Sequence, residues 1–399
     1  MVQDTIVRHK RKILFISPKE PFPLNDGAKI RIWQSLYFLS KMFVVDLVYI
    51  TSDRNTNENE INKGIANLVE HSFSYHISKY EFILNIFRSF TNKSPIRNNV
   101  FYSRKMQKWI DNNIASYDAV YCHGYRTFEY VLKYGIKDLF VDFVDALSMN
   151  YEKAMLCSSF VYSLYCKIDF KRICRFEELI LKTVKNCSII SCVDKDYLVK
   201  RIGCDASKLT VVGNMVKKTE HVCVPSKTIG TILFVGMMSY EPNVVAVTNF
   251  ANNVLPVLKK EFPEIKFYIA GAFPSEKVKK LANNNVIVTG YVDSLYELYD
   301  RASVVIAPML TGAGIQNKII QAMSLGCCVL TTTIGAEGLT INDNELVIAD
   351  GNIAIAEKIS WLLRHPAERD AIGEKARSYV LDSMNEVTIF NNFVEFIMR

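Results

Sequence analysis

Short apolar runs alternate with stretches of helical period in the first half of the chain. The run 12–17 is followed by 30–41, where Ile32, Leu36 and Leu39 recur near every 3.6 residues. A second helical stretch, 151–186, is longer. This alternation predicts a parallel sheet covered by helices on both faces. Its further strands are expected at 43–50, 119–122, 139–144 and 188–192.

The pattern breaks after residue 213 and then starts again. The segment up to 230 is polar, contains Pro225 and follows neither period. We therefore predict an α/β protein of two doubly wound, Rossmann-like domains, 1–217 and 231–385, joined by a linker at 218–230. The carboxyl ends of both sheets would face a cleft between the domains. Strands of the second domain are expected at 231–235, 266–270, 286–289, 304–307, 328–331 and 346–348.

The chain end is predicted to be an amphipathic helix over 386–399. Val387, Phe390, Val394 and Ile397 follow a helical spacing there. We expect this helix to pack back on the N-terminal domain.

Composition fits this picture of a globular protein. Of the 399 residues, 49% are apolar and 22% are charged, which excludes a disordered or collagen-like chain. No apolar run reaches the ~18 residues of a membrane-spanning helix, and the run after Lys12 is too short for a signal peptide. A cytoplasmic location follows as an expectation. The ten cysteines form no C-x-x-C pair, so we predict small buried side chains rather than a metal site or disulfides.

The formal charge of +7 is concentrated in residues 79–108, where seven Lys or Arg accompany Glu81 alone. Phe82, Ile86 and Phe90 lie among these cations. Such a segment favours peripheral contact with an anionic membrane, and the alternative is a core helix with a solvated basic face. No nucleic-acid-binding motif accompanies the charge, so nucleic acid is not an expected partner.

The segment 308–339 has the most informative chemistry. A predicted strand ends at residue 307, and a loop containing Gly312 and Gly314 precedes a helix of about twelve residues. Free amides at a helix start bind anions. Gly314, Lys318 and Gln321 fall on one face at helical spacing. This pattern indicates a phosphate site, and the alternative is a surface helix with a solvated Lys and Gln.

The sequence G-A-G-I-Q-N-K at 312–318, with G-A-E-G-L at 335–339, resembles the retaining glycosyltransferases of family four, which have the GT-B fold. It is similar to a bacterial subgroup that makes surface polysaccharides, such as capsule or O-antigen. The family places two glutamates in this segment, and here Ala313 and Gln321 occupy those positions. The resemblance covers about residues 11–382.

The resemblance implies transfer of a sugar from a nucleotide-diphosphate sugar to a saccharide or lipid-linked acceptor, with retention and with neither metal nor cofactor. It implies three catalytic residues, His123, Lys318 and Arg31. The residues it implies for nucleotide-sugar binding are Gly27, Lys29, Gly236, Tyr291, Val292, Gly312, Ala313, Gly314, Ile315 and Gln321.

Several alternatives remain open in the sequence. His123 follows a predicted strand, where it is either a structural histidine or the residue that contacts the donor sugar. Asp194 and Asp196 form a D-x-D motif, which either binds a metal or opens a helix. Ala313 and Gln321 favour a homologue that binds without catalysis, and a nucleotide-sugar epimerase is a third possibility.

Overall fold

The computed structural model describes residues 10–24, 26–51, 58–157, 160–216, 221–223, 230–311, 315–341 and 344–399. The chain divides into two compact units. The first comprises Met1–Met149, Leu164–Asn214 and Phe390–Arg399, and the second comprises Asn150–Ser163 and Met215–Ile389. Within the predicted first domain, 1–217, Asn150–Ser163 belongs to the second unit, which resumes at Met215. The predicted linker 218–230 lies mostly outside the described residues.

A parallel sheet forms the centre of the first unit. Its strand order is β3-β2-β1-β4-β5-β6-β7. Residues 13–16 of the central strand are fully buried, as expected for a strand covered on both faces. The strands are β1 (Lys12–Ser17), β2 (Val44–Thr51), β3 (His71–His76), β4 (Ala119–His123), β5 (Leu139–Asp142), β6 (Asn186–Ile189) and β7 (Leu209–Val211).

Helices connect these strands along the chain. Asp26 caps the first helix by accepting a hydrogen bond from the backbone N–H of Lys29 at 2.9 Å. Short 3-10 turns lie at Ile114–Ser116, Tyr125–Tyr130 and Ala206–Lys208. The helices are α1 (Gly27–Met42), α2 (Glu58–Ile65), α3 (Lys79–Thr91), α4 (Ile96–Val100), α5 (Arg104–Asn113), α6 (Leu147–Cys157), α7 (Phe160–Thr183) and α8 (Cys192–Ile202).

The second unit contains another parallel sheet, in the order β10-β9-β8-β11-β12-β13. Its strands are β8 (Thr231–Val235), β9 (Lys266–Ala270), β10 (Val286–Gly290), β11 (Val304–Ala307), β12 (Val329–Thr331) and β13 (Val347–Ile348). The remaining helices of the chain are α9 (Glu241–Asn249), α10 (Leu255–Glu261), α11 (Glu276–Lys279), α12 (Tyr296–Arg301), α13 (Asn317–Ser324), α14 (Asn352–Arg364), α15 (Pro366–Ser383) and α16 (Glu386–Met398), with a π-helical turn at Phe250–Val254.

The last helix ends on the first unit. The ring of Phe393 lies 5.4 Å from that of Phe38 and 6.1 Å from that of Tyr121. Phe396 contacts Phe140 edge-on, at 5.7 Å between ring centroids. Aromatic side chains of α16 therefore contribute to the core of the first unit.

The observed elements differ from the predicted ones mainly at sheet edges and helix ends. The edge strands β3 and β7 were not predicted, because β3 is largely polar and β7 has only three residues. The stretch predicted as one helix over 151–186 contains α6 and α7, and α13 has eight residues instead of about twelve. Among the described residues, no helix is both long and apolar enough to cross a membrane.

Candidate functional site

The crevice at the carboxyl ends of β8 and β11 is the topological switch point of the second sheet. The chain leaves β8 toward β9 on one side, whereas β11 lies on the other side. Ligands of open parallel sheets bind at such points, because the two connections diverge and leave a gap. Gly236 directly follows β8, and α13 follows β11 at the same end of the sheet.

Two glycines let the loops after β8 and β9 approach each other closely. A Cβ atom on Gly271 would lie 1.8 Å from the Gly236 carbonyl oxygen, and Gly271 has a φ of +143°. A Cβ atom on Gly236 would lie 2.7 Å from Asn243 Nδ2. Only glycine fits at both positions. The Asn243 side chain occupies the space that Gly236 leaves, and donates to the Met237 carbonyl at 2.9 Å.

Lys318 reaches this crevice from the first turn of α13. Its Nζ donates to Asn243 Oδ1 at 2.7 Å and to Gln316 Oε1 at 3.2 Å. The ammonium also lies 5.3 Å from the centroid of the Phe234 ring and 3.5 Å from Met309 Sδ. All of these neighbours are neutral.

Within the part of the chain that the structure describes, the charge of Lys318 therefore lacks a negative partner. No carboxylate of the described residues forms an ion pair with it, and burial lowers the pKa of its ammonium to about 8. A buried cation without a counter-charge costs free energy. An anionic ligand in the crevice would supply that charge, and this is the property expected of a phosphate site.

The other residues predicted for the nucleotide differ in their placement. Tyr291 is exposed just after β10, Val292 and Ile315 are half-buried, and Gln321 is exposed on α13. Lys318 and Gln321 were predicted to share one polar face, but Lys318 is half-buried whereas Gln321 is exposed. The predicted loop residues Gly312, Ala313 and Gly314 lie outside the described residues.

His123 ends β4 at the switch point of the first sheet, between β1 and β4. Its ring stacks on Phe15, with 5.8 Å between centroids. Burial lowers the pKa of the imidazole to about 4, so it is neutral near pH 7. Nδ1 lies 3.7 Å from Asp142 Oδ2, beyond hydrogen-bonding distance, and it has no hydrogen-bond partner among the described residues.

Asp142 is the centre of a buried polar network beside His123. Its carboxylate accepts hydrogen bonds from Arg31 Nε at 3.2 Å, from Ser188 Oγ at 3.0 Å and from the Val144 N–H at 3.1 Å. The Arg31 charge and these donors hold the pKa of Asp142 below its usual value, against the effect of burial. This network joins α1, β5 and β6.

The cations predicted for the first unit already have anionic partners. Arg31 is buried, pairs with Asp142 and also donates to the Gly213 carbonyl at 2.8 Å. Lys29 Nζ lies 3.3 Å from Glu20 Oε1, and both side chains are buried. Gly27 is the first residue of α1. Arg31 is thus held in a buried ion pair, and its catalytic role stays a prediction.

The D-x-D motif does not form a pair of ligands. Asp194 is buried and accepts from the Ala146 N–H at 2.9 Å and from the Ser191 hydroxyl, whereas Asp196 is exposed. The helix does open here, as one interpretation of the motif predicted. Its cap is nevertheless Ser191, which accepts from the Asp194 N–H at 3.1 Å.

Two residues of these sites had no role in the sequence-based prediction. Asn243 follows Glu241 and Pro242 at the start of α9, and Asp142 ends β5. The available sequence signal for a functional role was their position, since Asp142 ends a buried strand and Asn243 follows one. Which side chains they bind could not be predicted, since Lys318 is 75 positions from Asn243 and Arg31 is 111 positions from Asp142.

Sequence comparison matches part of the second unit to a known family. Residues 230–365 match the family described as glycosyl transferases group 1. The chain is also 26% identical to an uncharacterized 44.6 kDa protein in the cps region of Klebsiella pneumoniae. That match covers 96% of this chain and 98% of the relative.

Solved structures share the fold over nearly the whole chain. Sucrose-phosphate synthase from Thermosynechococcus elongatus has a TM-score of 0.70 at 15% identity, covering 97% of this chain and 98% of its own. Anabaena HepE, solved in complex with UDP and glucose, has a TM-score of 0.68 at 12% identity, covering 97% and 99%. At these identities the similarity shows the fold alone, and it confirms the predicted GT-B architecture.

Proposed function

We propose that the chain is a group 1 glycosyl transferase whose donor is a nucleotide-diphosphate sugar bound at the carboxyl end of β8, because residues 230–365 match that family. The observation that supports this proposal is the half-buried charge of Lys318 in the crevice beside Gly236, which no carboxylate of the described residues compensates. A diphosphate supplies the missing negative charge. The HepE structure, which contains UDP and glucose, has the same fold and is consistent with such a donor.

The proposed acceptor is a saccharide or lipid-linked saccharide of a bacterial surface polysaccharide. The relative from the cps region of Klebsiella pneumoniae supports this context. The chain would then extend a capsule or O-antigen, working in the cytoplasm on the inner face of the membrane.

We propose transfer with retention by front-face displacement, without a metal. The bond between the anomeric carbon and the diphosphate oxygen breaks as the acceptor oxygen bonds to the same face of that carbon. The acceptor proton passes to the departing phosphate oxygen. Lys318 would stabilise the charge that develops on the diphosphate, and the remaining contribution of the protein is to position both substrates.

A donor panel tests this function directly. Nucleoside diphosphates and their sugars are screened by thermal shift, where a ligand at 100 times its Kd should add about 2.7 kcal/mol of stability. Transfer is then measured with EDTA present and with saccharide and lipid-linked acceptors. Binding without transfer would favour a degenerate homologue, consistent with Ala313 and Gln321. Sugar isomerisation without any acceptor would favour an epimerase.

Nucleotide affinity should fall with rising pH. The free Lys318 ammonium has a pKa of about 8, lowered by burial, and the bound diphosphate favours its protonated form. Between pH 7 and pH 9 most of the free protein loses this charge, so the Kd should rise about tenfold. Calorimetry at both values measures the change. An equal Kd at pH 7 and pH 9 would show that Lys318 does not face the phosphates.

His123→Asn should lower turnover and leave nucleotide affinity nearly unchanged. His123 belongs to the first unit, whereas Lys318 and Gly236 belong to the second. We propose that the neutral imidazole contacts the donor sugar. The measurement compares kcat with the Kd of the nucleoside diphosphate for wild type and variant. Full turnover in a folded variant would assign His123 a structural role.

Helix α3 presents its apolar side to the solvent. Phe90 is 79% exposed, Phe87 64% and Ile83 54%, whereas Asn85 and Ser89 are buried. Asn85 Nδ2 donates to the Tyr102 carbonyl at 2.7 Å, so the polar side of the helix is the side that packs on the protein. Exposed apolar patches mark interaction surfaces. This arrangement supports the membrane interpretation of 79–108.

Phe82 and Ile86, the other apolar residues of α3 named in the sequence analysis, contradict the alternative that α3 is a core helix with a solvated basic face. Phe82 and Ile86 are exposed, as is Phe90. Arg88 is the exception among the cations, because it pairs with Glu129 at 3.2 Å and lies over the Tyr102 ring. Exposed cations that could meet lipid head groups are Lys79, Lys93, Arg97, Arg104, Lys105 and Lys108.

Liposome co-sedimentation tests membrane contact through α3. Wild type should bind vesicles that contain anionic lipid, and less so with added salt, because each Lys or Arg contributes about 1 kcal/mol. A Phe87→Ser/Phe90→Ser variant should lose most binding, since its inserting side chains are gone. Ile353→Ser is the control, because Ile353 is also exposed but lies on the second unit. Equal recovery on neutral and anionic vesicles would end the membrane hypothesis.

A further inference from the structure

Three potential metal ligands meet on the second unit, and a fourth lies beside one of them, at residues that the Lys318 crevice does not use. The donor atoms of His221, Cys223 and Asp300 all lie within 4.8 Å of one another, and the three residues are half-buried. His221 Nε2 lies 2.9 Å from Asp300 Oδ1. Cys327 adds a second sulfur, because its Sγ donates to Cys223 Sγ at 3.5 Å.

Three separate stretches of chain bring these ligands together. The Cys223 N–H donates to the Leu325 carbonyl at 2.8 Å, which fixes the segment 221–223 beside the turn after α13. The His221 ring lies 4.5 Å from the ring of Tyr296, at the start of the helix that carries Asp300. Backbone contacts and ring packing therefore hold the ligands in place.

The turn after α13 depends on Gly326. This glycine has a φ of +83°, a conformation that other residues rarely adopt, and its N–H donates to the Met323 carbonyl at 2.9 Å. The chain reverses there and places Cys327, which is buried, against Cys223. No C-x-x-C pair is present, so no local sequence pattern predicted this cluster. Its members come together only in the folded chain.

We propose that His221, Cys223, Asp300 and Cys327 form a zinc site. Two thiolates, one imidazole and one carboxylate match the donor set that Zn²⁺ prefers, whereas Ca²⁺ and Mg²⁺ prefer oxygen ligands alone. Tetrahedral Zn²⁺ with bonds of about 2.0–2.3 Å separates its ligand atoms by about 3.3–3.8 Å. The His221–Asp300 separation of 2.9 Å and the Cys223–Cys327 separation of 3.5 Å lie near that range. The donor atoms of His221, Cys223 and Asp300 lie within 4.8 Å of one another, so side-chain rotations would bring the four ligands around one ion.

The metal has a structural role in this proposal. It links the segment 221–223 to α12 and to the end of α13, the helix that carries Lys318. A metal that binds only the folded state adds its binding free energy to stability. All four positions of a tetrahedral ion are filled by protein ligands, which is typical of a structural site and leaves no open position for substrate.

Metal content and spectroscopy of the full chain test the site. The protein is stripped with chelator under reducing conditions and dialysed against Zn²⁺ or Co²⁺. We expect one ion per chain, a higher thermal midpoint with Zn²⁺, and thiolate-to-cobalt absorption in the near ultraviolet with Co²⁺. Cys223→Ser and His221→Gln should weaken binding by at least about tenfold. Both positions are half-buried, so these variants should fold. Cys192→Ser is the matched control, because Cys192 is exposed on α8.

Three results of the metal measurements would overturn the proposal. These are a wild type that retains no ion after dialysis, equal metal content in wild type and Cys223→Ser, and a cobalt spectrum without thiolate absorption. A Cys223–Cys327 disulfide that persists under the reducing conditions, detected as two missing thiols, would also overturn it. None of these readouts depends on glycosyl transfer, so the zinc site can fail while the proposed function stands.

Discussion

Replacing Lys318 with methionine should weaken nucleoside diphosphate binding and at the same time stabilise the ligand-free protein. A lost charge-assisted hydrogen bond corresponds to about 1.5–3 kcal/mol, so the Kd should rise about ten- to 150-fold. The half-buried ammonium lies among Asn243, Phe234 and other neutral groups. Removing its desolvation cost should raise the free energy of unfolding by about 1–2 kcal/mol at pH 7.

The stability gain should depend on pH in a defined direction. The folded-state pKa of Lys318 is about 8 and lies below the ordinary value of 10.5, so the unfolded chain binds more protons between these two values. Wild-type stability therefore rises through that window, and the advantage of Lys318→Met should shrink from pH 8 upward.

Urea unfolding at pH 7 and pH 9.5 and calorimetry with the best nucleotide of the donor panel provide the measurements. Lys277→Met is the control, because Lys277 is an exposed lysine of the same unit. A variant that binds nucleotide as well as wild type would rule out Lys318 as the phosphate ligand. Lower stability at pH 7 would show that its charge has a partner in the folded protein.

Asp142→Ala should destabilise the first unit by about 3–5 kcal/mol, the cost of breaking a buried ion pair by removing one partner. Arg31 would keep its charge in a buried position without a carboxylate. Ser188 and the Val144 N–H would also lose their acceptor. Many proteins have a total stability of only 5–15 kcal/mol, so this change should lower the thermal midpoint markedly.

A double variant separates the ion pair from other effects of the substitution. Asp142→Leu with Arg31→Met removes both charges, and it should recover part of the stability that Asp142→Ala loses. Asp196→Ala is the control, because Asp196 is an exposed carboxylate of the same unit. If Asp142→Ala unfolds at the same urea concentration as wild type, the network around Asp142 is not structural, and Arg31 would again be available as a catalytic cation.

The central strands of both units could be predicted from the sequence, with the right bounds in several cases. β1, β8, β9 and β11 begin and end where the apolar runs do. A strand that is buried on both faces must be apolar at nearly every position, so its limits are visible in the sequence. The edge strands β3 and β7 lack that constraint and were missed.

The resemblance to group 1 glycosyl transferases was also visible in the sequence, through short motifs at loops after strands. Such motifs indicate the fold and the location of the donor site. They do not show whether a charged side chain at the site is free. Lys29, Arg31 and Lys318 were equivalent candidates for the diphosphate when judged from the sequence.

Only the tertiary structure distinguished these three cations. Arg31 meets Asp142 and Lys29 meets Glu20, whereas the described residues leave Lys318 among neutral groups. The structure likewise decided which side of α3 faces solvent, because Asn85 finds buried backbone acceptors at Val100 and Tyr102. The burial of a strand can be predicted from the apolar residues at its own successive positions. Charge compensation instead depends on which distant segments meet, and for that reason the strands could be predicted from the sequence while the candidate site required the fold.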